Sequence, residues 1–481
     1  MRTFLQIGLL VFAMGSAALA QTPQDQNPPA NPPSAQQTPS APAPAYGPAS
    51  ADVTVNPPIT ALDAPSLEPN LQPRSMLVGG FQGSESLDTN VNEAFNTTHL
   101  QSVTRLLGGL TMQRLWSRYN FGAAYIGGLG IYSTSSPTVR NIQEFQVQQG
   151  IAWKTGQFYL RDSFSYLPEG AFGFATYGGA TGFELGLGAL GEGNGLVGVG
   201  LGGQYGIMGS AQYGSLGQTP RITNVTVADV VQALSPRSSI TAAGSYAFVH
   251  FTDNNFDNLI NSHQAGGQFG YNYSLTAKDQ LGVAYGYREF VFPSSVGADN
   301  ISSHIVQVLY GHRLSGRMDF VIGAGPQWTI IQNPLQNSTN ISGSGRFTLR
   351  YRWPRTTVAL SYLAYDTAGS GFFAGAESQI ARIGVGRQIA RRWDARADVG
   401  FSHNRRLQDA AQGIDATSFN YWFAGLGVRR AFNRNFGVFV SYQFNRQVFD
   451  GFECTGPNCN TTQRHVVTFG ADWHFRPIRL D

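Results

Sequence analysis

Arg346-Phe347-Thr348-Leu349-Arg350-Tyr351-Arg352-Trp353 alternates without a break, with arginine and threonine at one set of positions and four large apolar or aromatic side chains at the other. Successive side chains of an extended chain point to opposite faces, so this segment reads as a strand with one face for water and one for oil. The same period returns at Trp393-Asp394-Ala395-Arg396-Ala397-Asp398-Val399-Gly400-Phe401, and again in Val467, Phe469, Ala471, Trp473 and Phe475. One such strand is ordinary in a soluble sandwich. Its repetition along the chain decides the fold.

From about Ser75 onward, strand-like runs are separated alternately by tight turns and longer polar loops, which is how membrane barrels are built. Short connections fall at Ser117-Arg118, Thr155-Gly156, Ser235-Pro236-Arg237, Ala277-Lys278-Asp279, Ser315-Gly316-Arg317, Pro354-Arg355, Arg391-Arg392 and Asn433-Arg434-Asn435. Polar, glycine-containing or turn-rich connections at 88–99, 293–302, 366–377, 407–417 and 450–463 alternate with them and belong to the exterior side. A strand on each side of every connection predicts an all-β, transmembrane, antiparallel up-and-down β-barrel of about eighteen strands. The alternative is about sixteen, because the first strand and the stretch 222–234 are the weakest; the latter also reads as a short helix.

Energetics fixes the sense of the wall. An arginine facing lipid near the bilayer midplane costs about 2–4 kcal/mol, whereas one facing a wet lumen costs little, so the arginine face points inward. The sheet must also close, since each unpaired backbone group in hydrocarbon costs several kcal/mol. Trp116, Trp153, Trp353 and Trp393 each sit within a few residues of a short connection, and Trp473 lies near the end of the chain. Such a set at strand ends reads as an aromatic girdle at the headgroup level.

Composition agrees. The chain has 481 residues with 58 glycines, 12% aromatics and only 13% charged side chains. A mean hydropathy of -0.16 suits a wall that is greasy outside and polar inside. The formal charge of +3 is too small to imply a nucleic-acid partner. Arg2, the apolar run Leu5 to Met14 and Ala18-Leu19-Ala20 read as a secretory signal over residues 1–20, with the mature chain expected from Gln21. Residues 21–74 are rich in proline, glutamine, alanine and serine, and read as a disordered, solvated periplasmic tether able to touch peptidoglycan, or simply as a spacer. The barrel is expected over 75–475, with a short tail at 476–481. Cys454 and Cys459 flank Thr455-Gly456-Pro457-Asn458, a turn that can bring the sulfurs together in an oxidising compartment, and a loop-stapling disulfide is the expectation.

The end of the barrel carries the most specific motif. Thr468-Phe469-Gly470-Ala471-Asp472-Trp473-His474-Phe475 resembles the C-terminal assembly signal of outer-membrane β-barrel proteins, with Thr468, Gly470, Trp473 and Phe475 in its polar, glycine and aromatic slots. The resemblance implies recognition by the barrel-assembly machinery and a location in outer-membrane lipid. Such signals usually finish the chain, whereas here Arg476 to Asp481 follow. Leu115-Trp116-Ser117-Arg118-Tyr119, Leu160-Arg161-Asp162-Ser163-Phe164-Ser165-Tyr166-Leu167-Pro168-Glu169 and Leu234-Ser235-Pro236-Arg237-Ser238-Ser239 are similar to segments of Gram-negative, porin-like outer-membrane barrels with no assigned activity.

The longest connection, 168–220, is glycine-rich, as in Gly198-Val199-Gly200-Leu201-Gly202-Gly203. It is the third exterior loop, and the resemblance to porin-type barrels implies that a segment at this place can fold inward. Three outcomes stay open for it: an inward constriction, a cap on the rim or a disordered segment. The glycine spacing lacks the full dinucleotide fingerprint.

Inward candidates are Arg346, Arg350, Arg352, Arg382 and Arg396 on the basic side, and Asp394, Asp398 and Asp472 on the acidic side. Arginine exceeds aspartate, which favours anions slightly, although the same groups can instead pair across strands and hold the wall together. Ser402 and His403 fall on opposite faces, which spoils a nucleophile and base pair, and the scattered histidines show no metal-ligand spacing. No enzyme activity and no cofactor are expected. Three functions follow: a porin-like channel for small hydrophilic solutes, a structural or interaction barrel with a blocked lumen, or a component of an export channel.

Overall fold

The computed structural model describes residues 58–61, 75–91, 99–133, 137–168, 219–252, 259–293, 300–332, 337–408, 416–451 and 460–480. The expected signal, all but four residues of the proline-rich segment, nearly all of the glycine-rich connection, and Cys454 with Cys459 lie outside the described residues.

The first half of the wall consists of β1 (Met76–Asp88), β2 (Gln101–Leu115), β3 (Tyr119–Ser133), β4 (Thr138–Trp153), β5 (Gly156–Leu167), β6 (Arg221–Ser235), β7 (Ser238–Phe251), β8 (Ser262–Ser274) and β9 (Asp279–Val291). It continues with β10 (Asn300–Ser315), β11 (Met318–Gln332), β12 (Ser338–Trp353), β13 (Thr356–Thr367), β14 (Ala376–Ala390), β15 (Trp393–Arg406), β16 (Ser418–Ala431), β17 (Phe436–Asp450) and β18 (Thr461–His474). Each strand pairs antiparallel with the next, and β1 pairs with β18, so eighteen strands close on themselves. Residues 222–234 belong to β6, which removes the helical reading and the count of sixteen.

The two-residue period sorts side chains as the opening stretch demands. On β9 the outward Leu281, Val283 and Tyr285 are exposed, whereas the inward Gln280 and Ala284 are buried. On β18 the outward Phe469 and Trp473 are exposed, and Arg464, Thr468 and Asp472 face inward. An outward apolar band around a closed wall is what hydrocarbon requires, and the fold is that of an outer-membrane barrel. Leu426, 53% exposed near the middle of β16, tests this directly. Leu426→Arg is expected to destabilise the folded barrel by about 2–4 kcal/mol in lipid vesicles. A urea midpoint unchanged from wild type would contradict a lipid-facing position.

Aromatic side chains bound the band at both ends. Trp116, Trp353, Trp393 and Trp473 are exposed beside the tight turns, and Trp153 donates its indole N–H to Gln232 Oε1 at 2.8 Å. Toward the exterior end, three outward tyrosines meet histidines on the following strand. Tyr246 pairs with His263, Tyr285 with His304 and Tyr442 with His465, each with hydroxyl to Nδ1 at 2.8 Å. A second ring lies against each of these histidines, Phe248, Tyr287 and Phe444 respectively. Histidines that look scattered in the sequence thus recur as one cross-strand device, with amphipathic rings at the interface.

The seam between first and last strands is reinforced. Arg464 and Asp88, both fully buried, form an ion pair with Nη2 to Oδ2 at 2.5 Å, and Ser86 and Thr468 share a hydrogen bond at 2.9 Å. Beyond β1, the Thr89 N–H donates to the His465 carbonyl at 3.0 Å. At the opposite end Phe475 continues the seam through its N–H to the Gly79 carbonyl, and a two-residue strand, β19 (Ile478–Arg479), pairs with Met76 and Leu77. The segment after the assembly motif therefore adds to the wall.

Candidate functional site

The lumen is the chemically distinctive surface, and alternation places its residues. Arg382 on β14 reaches Asp398 on β15, with Nε to Oδ1 at 3.0 Å. Asp472 on β18 accepts from Arg429 on β16, Nη2 to Oδ2 at 2.9 Å. Arg161 on β5 lies 3.3 Å from Asp229 on β6. Arg346 donates to the carbonyl of Ile59. Arg350 stands opposite Asp319 in the register of β11 and β12, and Arg352 follows it on the same face. Asp394 and Arg396 share the inward face of β15 with Asp398. Of the eight positions named from sequence, Arg382 and Asp398 bond to each other directly.

Of the assembly motif, Thr468 faces inward on Ser86, and Gly470 gives space to the Phe439 ring. Trp473 stacks outside on Phe81 with ring centroids 6.3 Å apart. Ser402 is buried inside, whereas His403 turns outward and pairs with Asn420 Oδ1 at 2.9 Å. Among the described residues no three metal-ligating side chains gather.

Two inward features are absent from the sequence reading. The connection from β13 to β14 reads as a polar exterior loop, but residues 368–375 dip into the mouth of the barrel. Gly369, Ser370, Gly371 and Gly375 take positive φ values of 80°, 57°, 86° and 83°, a backbone path that glycine allows and most side chains resist. That path carries Phe372 and Phe373 inward. Phe372 meets Phe419 edge-on at 5.4 Å and Phe449 at 5.3 Å, and Phe373 lies 5.4 Å from Phe419. With Phe251, Tyr421 and Phe423 they build an apolar wedge at the exterior end. The signal in sequence is the glycine spacing around two adjacent phenylalanines, Gly369-Ser370-Gly371-Phe372-Phe373-Ala374-Gly375.

The second feature is a turn, Pro58–Ala61, closed by the Ala61 N–H to the Pro58 carbonyl at 3.2 Å. The sequence reading makes this part of a solvated tether. Instead Ile59 and Thr60 are buried against the lumenal face, with Ile59 packed beside Ala284, Leu309 and Val321.

A closed wall of eighteen strands, apolar outside and lined by polar and paired ionic groups, defines a porin-like barrel of the outer-membrane class. No protein-family model matches the chain, and no curated protein matches it. Among solved structures it is similar to Pseudomonas aeruginosa OpdQ, at 8% identity and a TM-score of 0.41 over 84% of this chain and 99% of that one. P. aeruginosa OpdL aligns at 7% identity and 0.40 over 83% and 98%. The FrpB iron transporter of Neisseria meningitidis, F5-1 variant, aligns at 7% and 0.38 over 84% and 82%.

Proposed function

We propose that the protein is a channel of restricted conductance for small hydrophilic solutes. The observation that carries this reading is the asymmetry of the wall. Glutamine, serine, threonine and arginine repeat along its inner face, as in Gln82, Ser84, Ser86, Gln264 and Gln268, the polar lining that a hydrated passage requires. The aromatic wedge at the exterior mouth and the turn near the other end narrow the route.

Four carboxylates of the lumen, Asp88, Asp229, Asp398 and Asp472, each face an arginine, which limits the field they add. The excess of positive charge concentrates on β12, where Arg346, Arg350 and Arg352 share a face with Asp319 opposite Arg350. A slight preference for anions follows. In planar bilayers the purified protein is expected to give stepwise conductance, with a reversal potential in a KCl gradient displaced toward that of chloride. Replacing the three arginines of β12 with glutamine moves it toward the cation side. A silent membrane at high protein loading refutes the channel, and a reversal potential indifferent to those substitutions refutes the assignment of selectivity.

A second reading is favoured by the wedge itself: a barrel sealed by Phe372, Phe373, Phe419 and Phe449 serves as an anchored platform for its exterior loops. The same bilayer measurement separates the two.

A further inference from the structure

The turn Pro58–Ala61 is held by more than casual contact. The Thr60 N–H donates to Asn272 Oδ1 at 3.0 Å, and the Asn272 amide returns a hydrogen bond to Thr60 Oγ1 at 2.5 Å. Gln268 Nε2 donates to the Thr60 carbonyl at 2.7 Å, and the Thr60 and Thr241 hydroxyls lie 2.7 Å apart. Arg346 reaches across from β12 to the Ile59 carbonyl. Both backbone polar groups of Thr60 and its hydroxyl are therefore satisfied by side chains of β7 and β8. A buried turn without such partners would leave each of these polar groups desolvated and unpaired.

The wall is also shaped for this occupant. Three inward glycines on consecutive strands form the floor: Gly270 on β8, Gly282 on β9 and Gly311 on β10. A Cβ at Gly270 would lie 2.5 Å from Thr60 Cβ, one at Gly282 would lie 2.8 Å from Thr60 Cγ2, and one at Gly311 would lie 2.8 Å from Ile59 Cγ2. Glycine weakens a strand, so three at this place have a packing reason, the close approach of another backbone. The residual cavity beside Thr60 and Ala61 measures only about 10 Å³, scarcely one water.

We propose that this glycine-floored pocket is a receptor for a peptide turn, that its ligand class is a proline-led turn bearing a β-branched apolar residue followed by a hydroxyl residue, and that the chain's own Pro58–Ala61 is the resident ligand. The floor lies three or four residues from the tight-turn ends of β8, β9 and β10, on the side where the N-terminal segment joins β1. Occupancy therefore narrows the lumen at its periplasmic end, a consequence that rests on the channel reading. Receptor function itself does not.

The test uses the full chain carrying Ile59→Gly and Thr60→Gly, which leaves every wall residue in place, and a fluorescent peptide of residues 56–62, Asn-Pro-Pro-Ile-Thr-Ala-Leu. In detergent the peptide is expected to bind this variant saturably, to bind wild type much more weakly because the pocket is occupied, and to ignore the variant once Gly282→Val is added. A scrambled peptide should not bind. Absence of saturable binding, or equal binding to all three proteins, overturns the receptor. In bilayers the glycine variant should conduct severalfold more than wild type and return to the wild-type level on addition of the peptide. Equal conductance in conducting membranes overturns the narrowing. Silence from both proteins sinks the channel alone, since binding is read without current.

Discussion

Alanine in place of Asp88 is expected to lower the stability of the folded barrel by about 3–5 kcal/mol, the usual cost of removing one partner from a buried ion pair. Arg464 donates to both carboxylate oxygens, with Nε to Oδ2 at 2.8 Å and Nε to Oδ1 at 3.1 Å. Neither side chain is reached by solvent. Asp88 Oδ1 also accepts the Asn90 N–H at 2.9 Å, so the substitution frees the segment that straps β1 to β18 beyond the end of the strand. Next to the pair, Arg105 donates to Ser86 at 2.7 Å, and Ser86 bonds Thr468. The network spans β2, β1 and β18, the three strands around the closure. Replacing both charges together, Asp88→Ala with Arg464→Met, should recover much of the loss, because no bare charge then remains. Urea unfolding in lipid vesicles, followed by tryptophan fluorescence, gives the comparison. An Asp88→Ala barrel within about 0.5 kcal/mol of wild type would show that the seam does not depend on this pair.

Removing the two aromatic rings of the inward loop, Phe372→Ala with Phe373→Ala, is expected to open the exterior mouth. Each ring truncated in a packed cluster costs about 3–5 kcal/mol of local packing. The wall keeps its own ladder of backbone hydrogen bonds from β13 to β14, from Thr356↔Arg387 through Thr367↔Ala376, so the loss falls on the loop and not on closure. Single-channel conductance should rise severalfold, with a urea midpoint for the wall close to that of wild type. An open mouth with unchanged conductance would place the narrowest point elsewhere. If the wild type is silent and the double variant conducts, the sealed-platform reading describes the resting molecule.

The wall was legible in the sequence because its physics is local. A period of two, tight turns with Ser-Pro-Arg or Asn-Arg-Asn, and tryptophans at strand ends are all written within a few residues of one another, and hydrocarbon on one side makes the inward face of Arg382, Asp398 and Asp472 unavoidable. Partner choice is not local. Asp88 and Arg464 are 376 positions apart, and nothing near either marks the other. Alternation sends both Arg382 and Asp398 to the lumen, but only the register of β14 on β15, with Arg382 opposite Gly400, sets them diagonally within reach. The proline-rich segment misled for a related reason. Its composition cannot form a core of its own, yet four residues can borrow one, and the signal for that lies in glycines more than two hundred positions away. The inward loop at 368–375 was hidden by its glycines, which read as solvent-side flexibility but instead set the path that buries two phenylalanines.

The register joining Gly80 to His474 and Asp88 to Val466 has a consequence in time. The first strand of the wall finds its second neighbour late, because that neighbour is the eighteenth strand, nearly four hundred residues further on. Bringing such distant segments together costs entropy before any contact rewards it, so closure comes late and topologies of this kind fold slowly. Until then two raw rims are available to any other strand, and a chain cut short before residue 461 keeps them permanently. Birth of the molecule is thus all or nothing, with its greatest vulnerability in the interval between delivery of the last ribbon and its docking on the first.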